Sequence, residues 1–255
     1  MMQVTRTKTQ EARGKSRDGT DSLTLALSQG ERGLTASPLG RGRAERSEGS
    51  GEGSPEIEQV LVDAYRLAGD LLAYPEDVET VEIEERVEAV ARALGERVGG
   101  QTAGLLRSFF EDWKAITPGE YIDTLELSPR CPLYLGYWAF LNEGPDSPPR
   151  RRFMGRLIDI YRRFDLSLGG KELPDFLPVV TEFLWVSLGK GEDEARRQVI
   201  EKFALPWMPS MVESLEKMGS PYCKLLKGIQ NLMEWDVQRY SEVEVEASEE
   251  VLGNA

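Results

Sequence analysis

Chemistry in this chain would have to come from carboxylates, arginines and two thiols, because no histidine occurs among its 255 residues. That absence removes the commonest general base and the commonest metal ligand together. Ser-His-Asp and Cys-His nucleophiles are excluded within the chain, as are zinc sites that use histidine. Cys131 and Cys223 are too few for a disulfide framework or a metal-binding set. Each reads as a small buried hydrophobe in a reducing compartment. A P-loop needs Gly, four residues, then Gly-Lys-Ser/Thr; Gly170-Lys171 is followed by Glu172 and Gly189-Lys190 by Gly191, so neither fits. Gly49, Gly51 and Gly53 lie in a polar stretch with no strand before and no helix just after, which rules out a dinucleotide turn. Carboxylate pairs such as Glu84/Glu85 and Asp193/Glu194 fall on helix faces beside basic residues and read as solvated surface. Arg150-Arg151-Arg152 and Arg162-Arg163 could form an anion patch, although the exposed side of a helix explains them more simply. The residues describe a binding protein with no catalytic site, metal or cofactor.

The elements that would position such residues are helical. Ile57, Val60, Leu61, Ala64, Tyr65, Leu67, Ala68, Leu71 and Leu72 recur at three- and four-residue steps. Tyr74-Pro75 should end that helix, since proline pushes its predecessor out of the α region. A second helix carries Val87, Val90, Ala91 and Leu94 and stops near Gly99-Gly100. A third spans about Ala103–Ile116. Segments around Tyr121–Leu127 and Cys131–Leu141 follow. Asp146-Ser147-Pro148 offers a cap and a first-turn proline before the stripe Met154, Leu157, Ile158, Tyr161 and Phe164. Phe176–Leu188 is apolar nearly all round and belongs at the centre of the bundle. Two helices, at about Glu192–Phe203 and Pro209–Met218, precede a last one that opens at Ser220-Pro221 and carries Leu225, Leu226, Ile229, Leu232 and Met233. No period-2 strands stand out. The expected fold is all-α, a single-domain helical bundle over 55–240, flanked by a disordered extension at 1–54 and an acidic flexible tail at 241–255.

Charge is unevenly spread. The formal charge is −13, and residues 1–54 hold nine Lys/Arg against seven Asp/Glu, so the remainder holds 22 against 37 and carries −15. An acidic body repels phosphate backbones and suits a cationic peptide, which argues against nucleic acid as a partner. No run of eighteen or more apolar residues exists, so no membrane insertion is expected, and no signal pattern is present. The expected location is the cytoplasm.

Two stretches say more than periodicity does. Tyr121-Ile-Asp-Thr-Leu-Glu-Leu-Ser-Pro-Arg-Cys-Pro-Leu-Tyr-Leu-Gly-Tyr137 resembles a segment of the nitrate reductase delta-type assembly chaperones, the NarJ branch of the NarJ/TorD family. Lys171-Glu-Leu-Pro-Asp-Phe-Leu-Pro-Val-Val-Thr-Glu-Phe-Leu184 is similar to that family's Glu-X-Pro-Asp signature, with Phe176 where relatives often carry His. Leu71–Pro75 and Ser220–Cys223 match its opening and closing segments more weakly. The resemblance covers about residues 56–240.

The resemblance implies an all-α cytoplasmic chaperone and not an enzyme. Such a chaperone binds the molybdenum-containing catalytic subunit of a nitrate reductase-like oxidoreductase, at its N-terminal segment, and assists cofactor insertion and assembly. The alternative is a stable helical subunit or scaffold of a respiratory reductase complex. A monomer or a dimer is compatible with either reading. Asp123, Glu126, Glu172 and Asp175 are candidates to meet a cationic client segment, with Tyr121, Tyr134, Tyr137 and Leu177 lining the apolar part. Other roles stay open: Glu172 and Asp175 flank Pro174 at a helix start and could cap it, and the tyrosines suit a bundle's core edge. Arg130 could pair with Asp123 or Glu126.

Overall fold

A computed structural model describes residues 34–36, 55–75, 80–126, 130–169, 172–188, 190 and 193–253. Apart from Leu34–Ala36, the expected N-terminal extension falls outside the described residues.

Helices form where the three- and four-residue apolar spacing predicts them. α1 (Pro55–Leu71), α2 (Thr80–Arg97) and α3 (Gly100–Trp113) come first. The break between the last two falls at Gly99, whose φ of 134° only glycine adopts without strain. α4 (Pro118–Tyr121) opens with a capping box in which the Thr117 hydroxyl accepts from the Glu120 amide and the Glu120 carboxylate accepts from the Thr117 amide. A π-helical turn (Ile122–Glu126) and the short α5 (Leu135–Ala139) complete the first motif stretch. α6 (Pro148–Arg163) is capped by the Ser147 hydroxyl and starts with proline, as the sequence predicts. α7 (Leu177–Leu188), α8 (Asp193–Val199), a second π-helical turn (Ile200–Ala204), α9 (Met208–Lys217) and α10 (Tyr222–Gly253) follow. α10 carries helical backbone past residue 240, into the stretch expected as an acidic tail.

Among the described residues the fold is all-α apart from one short strand pair and an isolated bridge. β1 (Leu34–Ala36) and β2 (Leu166–Leu168) run antiparallel, with Thr35 opposite Ser167. Neither segment is long enough to show alternation in the sequence. Burial organises the rest around α7, which packs mainly along α1. Leu177, Val180, Phe183 and Leu184 are fully buried, so the helix that is apolar all round does occupy the centre. α2 and α3 pair with each other, and α10 lies across α3 and α9.

A buried ion group ties three helices together inside this core. Arg196 and Asp236 are both 0% exposed and approach to 3.2 Å. Asp193 meets the same guanidinium at 3.0 Å. The Tyr65 hydroxyl donates to Asp236 at 2.9 Å, so α1, α8 and α10 are tied through one carboxylate. Burial, ahead of the neighbouring Asp236 charge, pushes the Tyr65 phenol well above its usual range. Asp193 therefore belongs to a structural ion group and not only to solvated surface. Among the described residues no helix is long and apolar enough to cross a membrane.

Candidate functional site at the junction of the two motif stretches

The two motif stretches, some forty residues apart in sequence, lie against each other. The Leu135 amide donates to the Asp175 carbonyl at 2.9 Å and the Leu177 amide to the Leu133 carbonyl at 2.7 Å. This is a single antiparallel bridge between Tyr134 and Phe176. The rings of those residues sit 5.0 Å apart, and the Tyr134 hydroxyl donates to Glu172 at 3.1 Å. On the other side the Tyr161 hydroxyl of α6 donates to the Pro174 carbonyl at 2.8 Å, which fixes the turn ahead of α7.

Asp175 is the centre of the junction. It is 0% exposed, and its Oδ2 accepts from the Gly136 amide at 2.8 Å. A Cβ on Gly136 would stand 2.7 Å from that oxygen and 3.4 Å from Arg150 Nε, so glycine is required by close approach. Burial raises the Asp175 carboxyl above its usual value, opposed by the Gly136 amide and by the charge of Arg150. Asp175 Oδ1 and Arg150 Nε are both buried without a hydrogen-bond partner among the described residues. The expected helix-capping role is thus replaced by a link between elements, with the Oδ2 oxygen engaged at the N-terminal end of α5.

The other candidates divide. Tyr121 is buried, donates its hydroxyl to the Leu72 carbonyl at 3.0 Å and stacks edge-on against Tyr74 and Tyr222. That is the core position the sequence reading left open. Leu177 is fully buried. Tyr121, Asp175 and Leu177 therefore offer no surface to a peptide in this conformation. Tyr134, Tyr137 and Glu172 are half-buried at the surface of the junction, and Asp123 and Glu126 are exposed on the first π-helical turn. Tyr137 stacks edge-on against Trp138, whose indole donates to the Pro132 carbonyl at 2.9 Å. Phe176 is half-buried, and Leu173 beside it is 45% exposed. Arg130 is exposed, and its carbonyl accepts from the Ser214 hydroxyl at 2.6 Å. A groove of about 310 Å³ opens beside this turn, lined by Glu120, Thr124, Arg130, Met218 and Tyr222 among others.

Sequence reasoning singled out Asp175 but not its partner. The signal was the glycine inside Leu135-Gly136-Tyr137, which breaks a helical segment for no evident local reason. It also missed Asp236, which lies three and four residues beyond Met233 and Leu232 and so continues the buried stripe of the last helix.

The arrangement sets packed, buried side chains beneath half-exposed aromatic rings in an all-α fold. Among the described residues no group of three or more His, Cys, Asp or Glu could hold a metal ion.

Comparison with known proteins places the chain more closely. No protein-family model matches it. It is 28% identical over 165 residues, 65% of its length, to the nitrate reductase-like protein NarX of Mycobacterium tuberculosis, and the match covers 23% of that protein. The chain thus spans under a quarter of the NarX proteins. It is 29% identical over 160 residues to the probable nitrate reductase molybdenum cofactor assembly chaperone NarJ of Bacillus subtilis, a match covering 61% of this chain and 80% of that one. Together these matches support a NarJ-type family, at a distance.

Proposed function

We propose that the chain is a cytoplasmic chaperone, not an enzyme, for a nitrate reductase-like molybdoenzyme. In this reading it binds the molybdenum-containing catalytic subunit, at its N-terminal segment, and assists cofactor insertion and complex assembly. The observation that carries the reading is the junction, where a buried clamp at Gly136 and Asp175 holds Tyr134, Tyr137, Phe176 and Leu173 at the surface beside Glu172. Aromatic rings held by a rigid base give apolar contact area at low entropic cost, and carboxylates at the rim favour a cationic segment. The net charge of −13 acts in the same direction. The similarity to a protein named as a molybdenum cofactor assembly chaperone supports the same role.

Within the proposed surface the residues do different work. Asp175, Leu177 and Tyr121 hold the base, while Tyr134, Tyr137, Glu172, Asp123 and Glu126 make contact. Calorimetric titration of the full chain with the N-terminal peptide of the candidate catalytic subunit, and with the apo-subunit, tests this. Saturable binding at about micromolar Kd or tighter is expected, about −8 kcal/mol or more. Tyr134→Ala and Glu172→Ala should each weaken it by about tenfold, or 1.4 kcal/mol, with each variant still folded at the titration temperature. No binding to peptide or apo-subunit would overturn the reading, as would stoichiometric retention of the chain in the purified mature enzyme.

A further inference from the structure

The solvent side of α6 works against its own helix in three ways. Arg151, Arg152, Arg156, Arg162 and Arg163 are all exposed, and Asp159 is the one acidic residue between Arg150 and Phe164. Arg150 and Arg151 stand in the first turn, which holds no carboxylate, so their charges oppose the helix dipole. Arg152 and Arg156 lie four residues apart on one face, a like-charge spacing that destabilises a helix. Between them Gly155 sits in the helix interior, where alanine would be more stable and where a Cβ would meet nothing within 4 Å. Packing does not explain these residues, and neither does pairing. Arg162 lies 3.6 Å from Asp159 with both side chains largely exposed. Arg151, Arg152, Arg156 and Arg163 make no ion pair among the described residues. Elsewhere Arg86 meets Asp70 at 2.6 Å, Arg107 meets Glu88 at 3.1 Å and Arg197 meets Glu194 at 2.6 Å. A chain with 44 acidic residues and a net charge of −13 thus keeps one helix face basic.

We infer that the arginine face of α6 docks an acidic segment of a partner protein. Places where a sequence works against its local structure are where function is expected, and here the conflict is one of charge. An arginine fork takes a carboxylate through two parallel hydrogen bonds, a fit that an ammonium lacks. From Arg151 to Arg163 the face runs about 18 Å along the helix, the span of about five extended residues. The bare backbone at Gly155 lets a partner chain approach closely. A short acidic segment feels mainly this face, because charges beyond about 8 Å are screened at physiological ionic strength. A membrane or a duplex is wider than the face and would meet the acidic remainder of the surface, which repels phosphate. The junction is proposed to take a cationic segment, so the two surfaces differ in sign and either stands without the other.

Fluorescence anisotropy of a labelled twelve-residue peptide alternating Glu and Ala, titrated with the full chain at about 50 mM salt, tests this. Saturable binding is expected, weakened about tenfold by Arg152→Glu. The same variant places a carboxylate four residues before Arg156, a favourable spacing, so its Tm should hold or rise. Lost binding with an undiminished Tm separates docking from a structural role. Should the Tm fall, Arg156→Gln, which keeps a helix-favouring side chain, decides in its place. Phenylglyoxal labelling read by mass spectrometry should show the α6 arginines protected by the peptide and the exposed Arg92 of α2 unprotected. No saturable binding, equal binding by the variant, or protection that extends evenly to Arg92 overturns the proposal. So does a variant that loses phosphatidylglycerol vesicles but keeps the peptide, since the face would then belong to a membrane. Self-association of the native chain that Arg152→Glu abolishes, without peptide binding, would make a second copy the occupant and overturn it as well.

Discussion

The Gly136 amide and the Asp175 carboxylate meet at 2.8 Å in a space that has no room for a side chain on the glycine. That contact joins the N-terminal end of α5 to the turn before the central helix, so it sets the surface by setting the backbone beneath it. Gly136→Ala places a methyl 2.7 Å from Asp175 Oδ2. A loss of about 1–3 kcal/mol in urea unfolding is expected, the usual cost of overpacking. Combined with Asp175→Ala, which empties the space, the cost of the alanine should shrink; strict additivity of the two would show that the clash is relieved elsewhere.

Asp175 also carries a pH signature. Its proton is held more tightly in the folded chain than in the unfolded one, where an aspartate titrates near about 3.9. The stabilising share of that proton is complete below the unfolded value and is lost as pH rises through the raised folded value. Unfolding free energies measured from below that unfolded value to neutrality should therefore fall for the native chain relative to Asp175→Asn, then run parallel. A difference that rises with pH instead would mean that Arg150 and the Gly136 amide outweigh burial.

The Arg196–Asp236 pair offers a cleaner energy measurement. Both are 0% exposed, so removing either leaves the other charge buried with a remaining charged partner, Asp193 for Arg196 and Arg239 for Asp236. Asp236→Ala or Arg196→Met should each cost about 3–5 kcal/mol, and the double Arg196→Met/Asp236→Leu markedly less than their sum. Tyr65→Phe removes the hydroxyl that donates to Asp236 and should cost about 1.5–3 kcal/mol, the range for a hydrogen bond to a charged group.

Thiol reactivity follows burial. Cys131 is fully buried and its thiol is pushed up to about 12, whereas Cys223 is only half-buried with a smaller rise. At pH 8 a disulfide-forming reagent should label at most one thiol of the native chain, at Cys223, and both in denaturant. Rapid labelling of Cys131 under native conditions would show that the core around α9 opens readily.

Helix existence was legible because an amphipathic or all-apolar pattern is local: Leu61, Ala64, Ala68 and Leu71 mark α1, and Val179–Leu184 mark a helix buried on every face. The Ser147-Pro148 start was equally plain, since cap and first-turn chemistry involve only neighbours in sequence. Both motif stretches could be picked out from their residues. What the sequence by itself determined, then, was an all-α chain with no histidine chemistry and with two polar-aromatic segments worth attention. Tertiary structure alone decided that Tyr121 points into the core while Tyr134 stays half-exposed, since both tyrosines suit a bundle edge and only packing against Tyr74 and Tyr222 separates them. It decided that Asp175 reaches across to Gly136 instead of capping its own helix. It decided, too, that Leu166–Leu168 meet Leu34–Ala36 as strands. Each of these depends on partners dozens of residues away, and the free energy of such contacts leaves no periodic trace in the chain that makes them.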